Sequence, residues 1–155
     1  AVAHAVGVGA VIFHDLKNDR TNNFDFALEE VVQFEGETGP YVQYTHARAM
    51  SILRKANHTV DTKEAFSLTD DDAWEVLKLI ENYPNVVRFA EEKCEPSAIA
   101  KFVINLAQAF NKYYAHTKVL VEDEAFNSRI ALVQTTASIL KQGLALLGVA
   151  APDEM

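Results

Sequence analysis

The chain of 155 residues carries 22 acids against 14 lysines and arginines, a formal charge of -8, and it has one cysteine, Cys94. That balance excludes nucleic-acid binding through a broad positive field, because phosphate is repelled unless cations are gathered locally. One cysteine excludes an intrachain disulfide and a thiolate zinc cluster and suits a reducing cytoplasm, while the lack of any run of about twenty uncharged apolar residues argues against a membrane span.

Length fits one domain of ordinary size with a core of its own. The chain opens abruptly on AVAHAVGVGAVIFHDL, with no basic segment ahead of its apolar residues, so no signal peptide is expected. Val2, Val6, Ala10 and Phe13 recur at helical spacing, and Gly7 and Gly9 are read as allowing close packing. A phosphate-binding glycine loop is not supported, since Ile12 stands where the third glycine belongs. His4 and His14 lack a ligand partner one turn away, so no metal site is expected. The start resembles a cut edge whose apolar face has lost its cover.

Residues 15–24 are polar and turn-forming. Leu28, Val31, Val32 and Phe34 predict a short helix ending at Gly36, and Thr38 or Gly39 is expected to cap the next one, with Pro40 in its first turn. That helix, from about Tyr41 to Ala56, turns Ala49, Ile52 and Leu53 inward. Arg48, Arg54 and Lys55 form a small basic cluster on it, open to two readings: an RNA contact, or cations that complement a helix C-terminus and reach nearby carboxylates. Residues 57–68 read as a polar connection, mobile or forming a helical turn at Phe66.

Thr69 is predicted to cap a further helix, with Asp70, Asp71 and Asp72 in its first turn, where the helix dipole favours negative charge. A calcium loop would need further oxygen ligands and a fixed glycine, both missing. Trp74, Leu77 and Ile80, then Val86, Val87 and Phe89, predict two short core helices broken at Tyr83 and Pro84. Cys94 reads as a small residue near a helix end.

The stretch Pro96–His116 carries the clearest pattern. Ile99, Phe102, Val103, Leu106, Phe110 and Tyr113 fall three or four apart on one stripe that must be buried. Lys101, Asn105, Gln108, Asn111 and Lys112 populate the opposite side. Asn111 to Tyr114 set an amide, a cation and two phenols within about one turn, groups suited to a base or phosphate. A connection at 118–121 and acids at 122–124 precede a final helix whose seam is Ile130, Val133, Ala137, Leu140, Leu144 and Leu147. Gly148 ends it, and Val149 to Met155 are expected to turn back on the bundle. The class expected is all-α, a helical bundle.

Three segments, FEGETGPYVQYTHARAMSILRK at 34–55, LAQAFNKYY at 106–114 and SRIALVQTTASILKQGLALLGVAAPDEM at 128–155, resemble the C-terminal part of bacterial arginine–tRNA ligases. The resemblance extends over nearly the whole chain, and the ending GLALLGV followed by a proline and a final methionine is specific to that family. It implies an anticodon-binding helical bundle of the class I synthetase type at 35–155, with residues 1–34 as the end of the catalytic part and its connecting segment. Arginine tRNA and the missing catalytic and N-terminal domains are the implied partners, with no role for membrane or DNA. The class I signatures of the His-x-Gly-His and Lys-Met-Ser types are absent from these residues. This chain is therefore expected to hold no catalytic residue, metal or cofactor, and ATP with magnesium is implied for the parent enzyme.

RNA loops are read by stacking unstacked bases on aromatic rings and hydrogen-bonding their edges, which reconciles RNA recognition with net negative charge. On that basis Gln108, Asn111, Lys112, Tyr114, His116, Arg129 and Met155 are the expected anticodon-side surface, with Arg48, Arg54 and Lys55 as secondary candidates and Tyr113 assigned to the core. The alternative is a helical protein-interaction module without RNA binding, which would present an exposed apolar patch, such as the face of residues 1–14. A metal- or nucleophile-based enzyme lacks a Cys–His pair at useful spacing and a glycine-elbow serine.

Overall fold

Helix α5, Ser97–His116, is the axis of the molecule, and all six residues of its apolar stripe are buried. The computed structural model describes residues 1–155. It adds α1 (Val2–Lys17), α2 (Leu28–Val31), α3 (Gly39–Ala56), α4 (Asp71–Lys93) and α6 (Phe126–Leu146), with no strand, so the all-α expectation holds. Helix α4 packs along α5, α6 packs on α3 and α5, and α1 packs on α3 and α5 as well. Phe13 of α1 is buried in the same core as Phe110 and Leu140, so residues 1–17 and 39–149 share one hydrophobic interior.

Local chemistry explains most helix ends. Thr38 accepts from the Tyr41 N–H at 3.1 Å and caps α3, with Pro40 behind it as the sequence suggests. At α4 the cap is Asp70, one residue later than expected, accepting from the Ala73 N–H at 2.7 Å; a carboxylate is the stronger acceptor there. Gly148, at φ +73°, turns the chain after α6, where the Val149 N–H reaches back to Leu144 O at 2.9 Å. Gly9 works as expected: a Cβ there would lie 2.7 Å from the Gln43 amide and 3.0 Å from Val149, so the glycine lets α1 approach α3 and the tail. Gly7 faces open space.

Four element predictions need correction. The segment from 71 to 93 is one helix with Pro84 inside it. An interior proline costs about 3 kcal/mol, and the long contact with α5, including Tyr83 stacked on Phe102 at 5.4 Å, offsets it. Trp74 and Phe89 of this helix are exposed rather than core. The helix at 28 stops at Val31, its one well-buried residue, and leaves Phe34 outside. No helical turn forms at Phe66; the connection is instead pinned to the start of α6, where Asn127 accepts from the Asp61 N–H at 2.9 Å and Ser128 from the Ser67 N–H at 2.9 Å.

After Gly148 the tail lies against α3, as expected. Gln43, wholly buried, donates to Ala150 O at 2.7 Å and to Ala5 O at 3.2 Å, tying the tail and α1 to α3 with one amide. His46 Nδ1 carries a proton and donates to Pro152 O at 3.0 Å. Burial pushes the His46 imidazole below its ordinary value despite Asp153 nearby. Arg54 donates to Asp153 O at 3.1 Å. These contacts deliver Met155 to the C-terminal end of α5.

Candidate nucleic-acid interface

Along α3, Tyr44, Arg48, Ser51 and Lys55 fall three or four apart and share a face. That face meets Tyr114 of α5, Leu120 of the following loop, and Glu154 and Met155 of the tail around a cleft of about 420 Å³. The Arg48 guanidinium lies 5.0 Å from the Tyr44 ring centre and 5.6 Å from that of Tyr114, so a planar cation bridges two phenol rings. Beyond Tyr114 a shallower depression of about 650 Å³ continues along residues 114–121.

Asn111 fixes this arrangement from within. Its side-chain oxygen accepts from Arg48 Nη1 at 2.6 Å, while its amide donates to Tyr41 Oη at 3.0 Å and to Thr45 Oγ1 at 2.8 Å. Every polar atom of Asn111 is thus engaged with the protein. In this structure it holds Arg48 in place. One guanidinium N–H is used in this way, which leaves the rest of the fork free for the cleft.

The expected α5 surface divides in two. At about 100° per residue, Lys112 and Tyr114 point to nearly opposite sides of the helix. Lys112 and His116 turn to the start of α4, where Asp72 accepts from both, at 2.9 and 2.6 Å. Hydrogen bonds from His116 and then Lys112 hold the Asp72 carboxyl below the usual carboxylate range, and Asp72 in turn pushes the Lys112 ammonium up. Gln108, one turn before Lys112, is exposed on that same side. These three residues do not belong to the cleft.

Arg129 also needs reassignment. It is 7% exposed, donates to Val119 O at 3.2 Å and to Val121 O, and pairs with Asp123 at 2.9 Å. That bonding pins the 117–125 loop and keeps the Asp123 carboxyl below its usual range. Because it holds this loop, Arg129 positions Leu120 at the cleft without entering it. Tyr113 is fully buried, as expected, and burial pushes its phenol far above the ordinary value.

The primary and secondary expectations therefore converge on one place. Tyr114 and Met155 line the same cleft as Arg48, Arg54 and Lys55. Arg54 lines the cleft and also reaches Glu154 at 3.6 Å, the carboxylate contact that was one of its two readings. Tyr44 and Leu120 were not anticipated. Tyr44 was legible, one turn before Arg48, whereas Leu120 arrives through the path of a loop.

Chemically the cleft offers two phenol rings for stacking, a guanidinium plane for a base edge, a thioether, and at the rim the Lys55 ammonium and an Arg54 guanidinium shared with the Glu154 carboxylate. Such a set has the chemistry to suit an unpaired base with its phosphate.

Comparison with known proteins places this geometry. The model of the DALR anticodon binding domain matches residues 42–155. An arginine–tRNA ligase of Enterococcus faecalis is 66% identical over 99% of this chain, and one of Streptococcus agalactiae is 60% identical over the same share. The chain spans 27% of the length of each. Among solved structures, Thermus thermophilus arginyl-tRNA synthetase superposes with a TM-score of 0.90 at 36% identity, covering 99% of this chain and 27% of that one. Plasmodium falciparum arginyl-tRNA synthetase gives 0.91 at 26% identity, over 99% and 28%. With the helical order, the tail folded onto α3 and a family model matched from Val42 to Met155, the chain belongs to the DALR anticodon-binding domain family.

Proposed function

We propose that this chain is the tRNA-recognition part of an arginine–tRNA ligase and that it binds the anticodon stem and loop of arginine tRNA. The observation that carries the reading is Arg48, held by Asn111 and bridging Tyr44 and Tyr114 in a cleft edged by Arg54, Lys55 and Met155. An unstacked anticodon base lies on a phenol face, Arg48 donates to its edge, and Arg54 and Lys55 take the flanking phosphates. Amino-acid activation with ATP and magnesium, and transfer of arginine to the tRNA, belong on this reading to the larger part of the enzyme, outside these residues, in the cytoplasm. Residues 1–34 are proposed as the end of that catalytic part, with the exposed Val2, Val8 and Val11 of α1 as its contact.

Titration of the chain with arginine tRNA, an anticodon-swapped arginine tRNA and an unrelated tRNA tests the reading. Anticodon swaps should weaken binding through the lost edge contacts, Tyr114→Ala should cost about 1–3 kcal/mol for the lost stack, and removal of Met155 should act in the same direction. Equal affinity for all three RNAs, or Tyr114→Ala and Met155-deleted chains with native melting curves and full affinity, would refute it.

A further inference from the structure

Helices α4 and α6 and the connection before α4 enclose a second groove, about 410 Å³, lined by Phe66, Leu68, Trp74, Leu77, Ile80, Ala131 and their neighbours. Phe66 and Trp74 stand as its walls, 55% and 60% exposed. Ser128, Ala131 and Thr135 of α6 are small and make a shallow floor. From Trp74 to Ile80 the groove runs six residues, about 9 Å of helix, room for about one and a half turns of another helix laid along it.

The surroundings select the occupant by charge. Glu64, Asp71, Glu75, Glu81 and Glu124, all exposed, stand beside the lining residues in the chain, against Lys63 and Lys78, of which Lys78 is already paired with Glu75 at 2.7 Å. Phosphate is repelled by that rim, so RNA is not the occupant. A second copy of this chain carries the same -8 and presents the same acids, so self-association through the groove brings like charges together. On the function proposed above, the rest of a longer chain meets the exposed valines of α1, which packs on α3 and α5. We propose that the α4–α6 groove docks the apolar face of a basic amphipathic helix from a partner protein, with Trp74 and Phe66 as anchors and the acidic rim setting its orientation.

Trp74 is the sole tryptophan, so its emission reports on the groove directly. The probe is a synthetic 18-residue peptide of leucine and lysine with leucines at i, i+3, i+4 and i+7, tested beside a scrambled peptide of the same composition and a leucine–glutamate peptide of the same pattern. The patterned basic peptide should shift Trp74 emission to shorter wavelength, saturably and at one peptide per chain. Phe66→Ser and Ala131→Lys, each checked for native helix content and melting, should weaken it about tenfold or more. Equal binding of the scrambled peptide, or full affinity in both variants, would overturn the proposal. So would quenching or protection of Trp74 by arginine tRNA, which would make the groove an RNA surface. Sedimentation showing a dimer that Phe66→Ser dissolves would assign it to a second copy and equally overturn the proposal.

Discussion

The cleft at the end of α5 and the groove between α4 and α6 both expose large aromatics, yet the charges beside those rings differ. Tyr114 stands beside a guanidinium with Arg54 and Lys55 at the rim, whereas Trp74 stands among carboxylates. Two surfaces of one acidic chain thus differ in the charges beside their rings, and salt screens each within about 8–10 Å in physiological conditions. Net charge says little about what such a protein binds. The cations placed next to a ring decide it, and so does how far a carboxylate already uses them, as Asp72 uses Lys112 and His116 and, at longer range, Glu154 uses Arg54.

The strongest test of this contrast is Arg48→Ala. It removes the cation shared by Tyr44 and Tyr114 and leaves the Asn111 oxygen without its donor, so affinity for arginine tRNA should fall by about 2–3 kcal/mol. Peptide binding at Trp74 should be untouched, and loss at both places would mean a general unfolding, visible in the melting curve. Arg129→Ala comes next and acts on stability. Freeing the Val119 and Val121 carbonyls should cost about 2 kcal/mol by denaturant titration, with tRNA binding reduced through Leu120.

Smaller effects sharpen the division of α5. Lys55→Ala should lower tRNA affinity by less than about 1 kcal/mol and reduce the salt slope by about one unit. Lys112→Ala should leave affinity and slope unchanged, because its ammonium serves Asp72. Equal losses from the two lysines would restore the single polar face that the residue pattern first suggested.

The last test is a slope with pH. His46 faces Pro152 O, Asp153 and, through that carboxylate, Lys141. Its folded imidazole is depressed, so as pH falls below the ordinary value near 6.5 the unfolded chain takes up a proton that the folded chain refuses. The stability that the neutral ring contributes is present above that value and is lost as pH drops through the folded one. His46→Gln keeps a neutral donor toward Pro152, and it should flatten this part of the melting-temperature profile without loosening the tail at neutral pH.

Helix periodicity made the long elements readable. The seams of α5 and α6 were named residue by residue, and every member is buried. Caps at Thr38 and Gly148 were also legible, because a cap depends on a few adjacent atoms. Pro84 misled for the complementary reason. Its local cost is real, but α5 outweighs it from outside the segment, and Trp74 has core-like spacing on a helix side that nothing covers.

The candidate surface shows the same boundary at the level of single side chains. Composition and spacing determined that this acidic chain forms an α-helical bundle, that any RNA site is local, and that Tyr114, Arg48 and Met155 were worth naming. Only the tertiary structure decided that these three meet, that Asn111 and Arg129 turn inward, and that Lys112 and His116 are already paired. Helical faces follow from neighbours three and four residues apart, whereas Arg48 meets Asn111 across 63 positions and His46 meets Pro152 across 106. Contacts that distant exist only once the core has closed and set which helix ends lie together.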